Sequence, residues 1–237
     1  MEAIILAGGS AERLGDAADG LPKALVDVGG KPLAAHQVRL LARGGVDRVL
    51  VSCAADQEEL FETRLAGLGP EVVAAGEPEP LGRGGGIRFA ARARREEGDV
   101  VVLNGDELLA LDLRAMLADH RRAGPAATVA VTHPRSPFGV VELGEDDAVT
   151  GFREGGLLPE WVSCGAYVLG EEALVELPER GDHETTTFPA LAGRGRLRAF
   201  RHEGVWLTVN TPKDLRAADE YVRAHPDWLD GGKSPGV

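Results

Sequence analysis

Several residues in this chain have the types and the order needed to handle a polyphosphate. The apolar run Ala3-Ile4-Ile5-Leu6-Ala7 leads directly into Gly8-Gly9-Ser10-Ala11-Glu12-Arg13-Leu14. Paired glycines let backbone N–H groups approach phosphate oxygens with no Cβ in the way. Arg13 and Lys23 can then neutralise the polyphosphate from two sides. Pro22 precedes Lys23 and fixes its entry angle. A second apolar run, Val100-Val101-Val102-Leu103, ends in Asn104-Gly105-Asp106. A carboxylate at the end of a buried strand is well placed to hold Mg²⁺ bridging phosphates. The competing reading makes Asp106 a helix N-cap, although Leu108-Leu109 and Asp112 stand between it and the next helix. Glu107 is expected to point elsewhere. A dinucleotide loop fits poorly, because "GGSAERLG" is not GxGxxG and no lone acidic residue follows about twenty positions on.

Regular elements must hold these residues, and the chain supplies them by alternation. Residues 2–7 read as a strand and 32–43 as a helix with apolar Leu33, Val38, Leu40 and Leu41. Strand 47–53, helix 56–66, strand 71–75, helix 84–95, strand 99–103, helix 112–123 and strand 126–132 follow. Short Val- and Ile-rich runs are what parallel strands buried on both faces require. The pattern predicts an α/β fold: a doubly wound, mostly parallel Rossmann-like sheet. Ligands on such sheets sit at the carboxyl ends of the strands, where both Gly8–Arg13 and Asn104–Asp106 fall.

The second half is less regular. Strands are expected at 138–143, 147–152, 161–169 and 196–202, and helices at 170–176, from near Glu184, and at 212–224. These read as small β insertions folded over the same sheet. No Pro- or Ser-rich linker interrupts the chain, so residues 1–225 are read as one domain and 226–237 as a tail, frayed from Asp230 to Val237.

Composition narrows the function. The 237 residues carry a formal net charge of −12, which argues against a nucleic-acid surface. Hydrophobic content of 43% supports a sizeable core, and no segment approaches the ~18 apolar residues of a membrane span. Cys53 and Cys164 lie alone in apolar stretches, which suits buried, reduced thiols and a cytoplasmic protein. His36, His120, His133, His183, His202 and His225 show no metal spacing, and Trp161, Trp206 and Trp228 read as packing residues.

The blocks "LAGGSAERL", "PKALVDVGGKP", "EPLGRGGGI", "VLNGD", "FGVVEL", "FREG", "GAYVL", "TFPALA" and "GVWLTVNTPKDL" occur in one order over residues 2–223. In that order the chain resembles the sugar-1-phosphate nucleotidyltransferases. The resemblance implies the nucleotide-diphospho-sugar transferase fold, with its β insertions over the sugar site. It implies attack of a sugar-1-phosphate oxygen on the α-phosphorus of a nucleoside triphosphate, with release of pyrophosphate and help from Mg²⁺. Carried over residue by residue, Leu6, Ala7, Gly8, Gly9, Glu77, Gly82 and Gly84 line the nucleotide, and Arg13 holds the β- and γ-phosphates. Lys23 draws the two anions together. Asn104, Gly139, Glu154, Ser163 and Glu184 face the sugar phosphate, although an N-cap role is equally open for Glu184.

The same comparison marks departures. Ala11 replaces a usual glycine, which requires a negative φ there, and Glu12 adds an anion. The family's second metal carboxylate falls at Thr208, and Asn210 stands at a usual glycine; Asn210, or Thr208 through water, is expected to complete the metal site with Asp106. Capping of the helix from Pro212 is the alternative for this segment. Gly155-Gly156 follow Glu154 where a lysine is common, a loss that Arg153 would partly offset. Arg83 stands at a common threonine, reading a base or phosphate or pointing outward. The short form and "EPLGRGGGI" favour GTP with a mannose- or heptose-like sugar. Uridylyl or thymidylyl transfer, a non-catalytic nucleotide-sugar-binding homologue, and a homodimer all stay open.

Overall fold

Short runs of Val, Ile and Leu alternate with amphipathic helices, and the first of these runs lies in the interior of a seven-stranded sheet. The computed structural model describes residues 1–9 and 11–230. Ser10 and residues 231–237, which hold most of the expected frayed tail, lie outside the described residues. In chain order the elements are β1 (Glu2–Leu6), β2 (Asp27–Val28), β3 (Lys31–Pro32), α1 (Leu33–Gly44), β4 (Arg48–Ala54) and α2 (Glu58–Leu65). Then come β5 (Glu71–Glu77), α3 (Gly82–Ala91), β6 (Val100–Asn104), β7 (Glu107–Leu109), α4 (Leu113–Ala123) and β8 (Ala127–Thr132). The second half adds β9 (Gly139–Leu143), β10 (Val149–Glu154), β11 (Val162–Leu169), α5 (Glu171–Val175), α6 (Thr187–Gly193), β12 (Leu197–Arg201), β13 (Trp206–Thr208) and α7 (Pro212–Ala224).

The sheet order is β12-β8-β11-β6-β1-β4-β5. β6, β1, β4 and β5 pair in parallel, as do β8 and β12, while β11 runs antiparallel between β6 and β8. The chain winds outward from β1 through β4 to β5, then returns to β6 on the other side of β1. The carboxyl ends of β1 and β6 therefore flank the switch point, where open α/β sheets bind ligands.

Alternation along each strand divides the core. Ala3, Ile5, Val49, Val51, Val101 and Leu103 face α1 and α4. Ile4, Leu50, Val100, Val102, Tyr167 and Leu169 face the side of α3 and α6. A third apolar cluster joins chain regions that the sequence keeps far apart: Leu14, Val26, Val28 and Leu33 meet Leu108, Val205, Val209 and Val222. It is bolted by the Gly29 N–H, which donates to Asp219 Oδ1 at 2.8 Å. Gly29 has φ +62°, and an added Cβ would overlap Val222, so the turn between β2 and β3 needs glycine.

Of the segments expected as insertions, β11 and β12 instead join the seven-stranded sheet, because their apolar residues pair with β6 and β8, while β9 and β10 stand apart from it. β9 and β10 pair only with each other, and their solvent-facing Val141, Leu143, Val149 and Phe152 stay exposed. β7 and β13 form a separate antiparallel pair that the sequence pattern did not suggest. Trp228 is buried, as expected of a packing residue. Trp161 is not: it is 42% exposed, in tilted contact with His133 and with the Arg201 guanidinium over its ring.

Candidate active site

Gly8 and Gly9 follow β1, and Asp106 follows β6 one strand away. The Gly105 N–H donates to the Leu6 carbonyl at 2.9 Å, which clamps the two strand ends together. A Cβ at Gly105 would overlap that carbonyl, so the close approach requires glycine. The turn that carries Asp106 is pinned from below. The buried Gln37 side chain of α1 donates to the carbonyls of Asn104 and Glu107 at 2.6 and 2.8 Å. This support had no signal in the sequence beyond a polar residue on the buried face of an amphipathic helix.

Lys23 opens a single helical turn after Pro22. Its side chain is 10% exposed. Nζ donates to Asp106 Oδ2 at 2.8 Å and to Asn210 Oδ1 at 2.6 Å. Three residues spread over most of the chain therefore meet at one ammonium. The β7–β13 pair explains how: Thr208 pairs with Glu107, and the Val209 N–H donates to the Asp106 carbonyl at 2.9 Å. Asn210 is the next residue, delivered beside Asp106.

This last segment caps the next helix and also leaves the Asn210 side chain beside Lys23 and Asp106. Thr211 caps α7 in a reciprocal capping box with Asp214, and Pro212 opens the helix. Asn210 lies just outside that cap, so its backbone N–H goes to Asp214 while its side chain is free to reach Lys23. Asp106 caps nothing: the N-cap of α4 is Asp112, which accepts the Ala115 N–H.

Lys23 and Asp106 line a cavity of about 340 Å³, within the range of small-molecule sites. Its walls include Leu6, Ala7, Gly8, Gly9, Lys23, Glu77, Gly82, Arg83, Asn104, Asp106 and Glu107. Glu77 accepts from the Ser52 hydroxyl at 2.5 Å and from the Leu81 N–H at 3.0 Å, so it shapes the loop before α3. A Cβ at Gly8 would stand 3.3 Å from Glu77 Oε1 and one at Gly86 2.8 Å from it. Gly84 does not line the cavity. It is buried under the 178–183 segment, where a Cβ would meet the His183 nitrogen and Pro178 at 2.8 Å. Ala11 has φ −86°, so alanine is accommodated at the usual glycine.

Arg13 is exposed in the short helix Glu12–Ala18 and stands outside the cavity lining. Gly139 and Glu154 pair across the β9–β10 ribbon, also outside it. Among the described residues Arg153 bonds to the nearby carbonyls of Gly155 and Leu157, and it is not part of the cavity lining. Asn104 lines the cavity, while Ser163 and Glu184 join it indirectly. Tyr167 Oη donates to Glu184 Oε1 at 2.7 Å and lies 3.4 Å from Ser163 Oγ and 3.5 Å from Asn104 Nδ2.

Glu107 corrects the sequence expectation. It points into the cavity, 9% exposed, accepting from Trp206 Nε1 at 2.5 Å and from Asn104 Nδ2 at 3.2 Å. Burial pushes its carboxyl up to about 7, and the two donors only partly offset that. Trp206 is thus a hydrogen-bond donor as well as a packing residue. Burial lowers the His183 imidazole to about 4, so this fully buried ring, packed edge-on against Tyr167 and Phe188, behaves as a neutral core residue. Cys53 and Cys164 are buried free thiols, both pushed upward by burial, Cys53 to about 12.

Asp106 and Asn210 offer hard oxygen donors that suit a divalent cation. Among the described residues, no three His, Cys, Asp or Glu side chains converge as a metal cage. The donor set fits a cation that takes one or two protein oxygens and completes its shell with water and substrate phosphates.

The family description "Nucleotidyl transferase" matches residues 2–225. The chain belongs to that family. It is 32% identical over 98% of its length to the mannose-1-phosphate guanylyltransferase catalytic subunit beta of Xenopus tropicalis, covering 69% of that protein. Mannose-1-phosphate guanyltransferase 2 of Candida glabrata is 28% identical over 99% of this chain and 69% of its own. Among solved structures, HddC from Yersinia pseudotuberculosis superposes with a TM-score of 0.73 at 23% identity, covering 93% of this chain and 98% of its own. The same protein complexed with GMP-PN gives 0.71. The fold is the nucleotidyltransferase fold, and members of the family generally use a divalent metal. No helix among the described residues is long and apolar enough to cross a membrane.

Proposed function

We propose that this nucleotidyltransferase condenses GTP with a mannose- or heptose-like sugar-1-phosphate, giving a GDP-sugar and pyrophosphate. The convergence of Lys23, Asp106 and Asn210 beside the Gly8-Gly9 loop carries the reading. The names of the guanylyltransferase relatives support the choice of base and sugar. Residues 1–225 form the catalytic domain in this reading.

The sugar-1-phosphate oxygen attacks the α-phosphorus of GTP in line, one P–O bond forms, and the bond to the leaving pyrophosphate breaks. Such a transfer needs mainly positioning and charge stabilisation. The Gly8 and Gly9 N–H groups hold phosphate oxygens. Lys23 neutralises the developing charge and brings the two anionic substrates together. Arg13 supports the pyrophosphate as it leaves. Asp106 and Asn210 would hold Mg²⁺, which would supply further charge neutralisation to the substrates. Asn104 and Glu184 serve the sugar, with Gly139, Glu154 and Ser163 at its outer side.

The test is pyrophosphate release over a matrix of GTP, UTP, dTTP, CTP and ATP against mannose-, heptose-, glucose- and N-acetylglucosamine-1-phosphate. Turnover should be greatest with GTP and a mannose- or heptose-type substrate. Preference for another base would refute the guanylyl assignment, and nucleotide-sugar binding without turnover would refute the enzyme.

A further inference from the structure

Arg83 is the cavity's second cation. Among the described lining residues only Lys23 and Arg83 are positive, and Lys23 is engaged with Asp106 and Asn210. Arg83 lies in the glycine-rich first turn of α3, yet its side chain does not turn toward Glu77. Its Nε donates to Asp182 Oδ2 at 2.8 Å, and Nη2 contacts both Asp182 and Glu184, the latter at 2.7 Å. Burial alone would lower the guanidinium pKa, but the two carboxylates raise it. Asp182 also accepts the Glu184 N–H at 2.9 Å, so the loop and the guanidinium brace one another.

From there a polar chain leaves the cavity lining and returns to it: Arg83 to Glu184, Glu184 to Tyr167, Tyr167 to Asn104, and Asn104 to Glu107, with Glu184 and Tyr167 just behind the lining. Glu77, on the other side of the cavity, is tied instead to Ser52 and the Leu81 N–H. An arginine held by two carboxylates is part of a cluster with formal charge −1. Such a cluster is a poor anchor for another phosphate and a good set of acceptors for hydroxyl groups. Hydroxyl donors are what the sugar half of the proposed substrate pair presents in number.

We propose that Arg83 is a positioning residue for the sugar: it locks the Glu184 carboxylate to accept sugar hydroxyls, and the negative cluster selects neutral sugar-1-phosphates over those bearing a carboxylate. This rests on the function proposed above. Arg83 then acts on the sugar substrate and leaves the nucleotide alone.

The experiment measures KM for GTP and for the best-used neutral sugar-1-phosphate separately, in wild type, Arg83→Gln, Arg83→Lys, Glu184→Gln and the Arg83→Gln/Glu184→Gln pair. A uronic acid 1-phosphate serves as the anionic probe. Loss of a charge-assisted positioning bond should raise KM for the sugar by about tenfold or more in Arg83→Gln. KM for GTP should stay within about twofold, since uniform binding of the nucleotide is untouched. Arg83→Lys should recover part of the loss, and the double variant should be no worse than Glu184→Gln. The wild type should discriminate against the uronic acid 1-phosphate. A rise confined to KM for GTP would overturn the proposal, as would unchanged constants or additive losses. Wild-type turnover with unmoved variants defeats the role of Arg83 alone. Absence of wild-type turnover with every sugar-1-phosphate defeats the proposed function and this role together.

Discussion

Glu107→Gln should make the protein more stable at pH 8 and not at pH 5. The Glu107 carboxyl lies at about 7 in the fold, against an ordinary 4.5, with burial the largest cause. Between those values the folded state holds a proton that the unfolded chain has released. Folding is therefore most favourable below the ordinary value and loses stability as pH rises toward 7. The gap of about 2.5 pH units corresponds to roughly 3 kcal/mol at pH 8. Glutamine removes this cost because it carries no charge. It also weakens the bonds from Trp206 and Asn104, at about 1–2 kcal/mol. Asn104 limits that loss, since its buried Oδ1 has no partner and could accept from the new amide after a flip. The net expectation is a gain of about 1–2 kcal/mol at pH 8 and a loss of about 1 kcal/mol at pH 5. For a chain of 237 residues each kcal/mol moves the midpoint by about 2–4 °C. Urea unfolding of both proteins without divalent cations, from pH 5 to 8, reads the difference. A stability difference that stays constant across this range would refute the buried-carboxyl argument.

Three further outcomes follow from the geometry. Lys23→Met should lower kcat/KM in the pyrophosphate assay by about 10²–10³, as for loss of a transition-state charge donor; less than a tenfold loss contradicts its role. Asn210→Ala should raise the Mg²⁺ concentration for half-maximal activity by about tenfold, and an unchanged metal titration would remove Asn210 from the metal site. Gly165 has φ +67°, and a Cβ there would overlap the Glu107 carboxylate. Gly165→Ala should therefore cost at least about 2 kcal/mol, whereas Gly193→Ala, in open space on α6, should be neutral or gain up to about 1 kcal/mol. Equal midpoints for those two alanine variants would show that neither backbone nor contact distinguishes the sites.

The sequence was most legible where periodicity and position in the strand both speak. The strands from Glu2, Arg48, Glu71 and Val100 and the helices from Leu33, Leu113 and Pro212 lie within a few residues of their expected bounds. So do the glycine loop and Asp106 at adjoining strand ends. Short elements were less legible. β7 and β13 are three residues each and exist because they pair with one another, which no local pattern encodes. That pairing is what turns Glu107 inward and brings Asn210 to Lys23. Tyr167 and Gln37 were missed for a related reason: a polar tip on a buried strand or helix looks like core until its partners are known. Gly84, expected at the nucleotide from its place in a glycine-rich segment, lies where a Cβ would meet Pro178 and His183, a packing demand no local pattern encodes.

The site lies on a seam, and this changes what the third apolar cluster is for. Gly8 and Asp106 closely follow strands of the central sheet, while Lys23 and Asn210 are carried by segments packed through Leu14, Val26, Val28, Leu108, Val205 and Val209. The distances from Lys23 Nζ to Asp106 and Asn210 thus depend on how that cluster seats against the sheet. A misplacement of about 1 Å can cost about a hundredfold in rate, far more than the same shift costs in stability. Truncations such as Val209→Ala or Leu108→Ala remove apolar contacts from a cluster that closes the site, and they do so without touching a charged group. Their effect on turnover should therefore exceed what loss of folded protein explains. The cluster holds together the segments through which residues so distant in sequence converge on one ammonium.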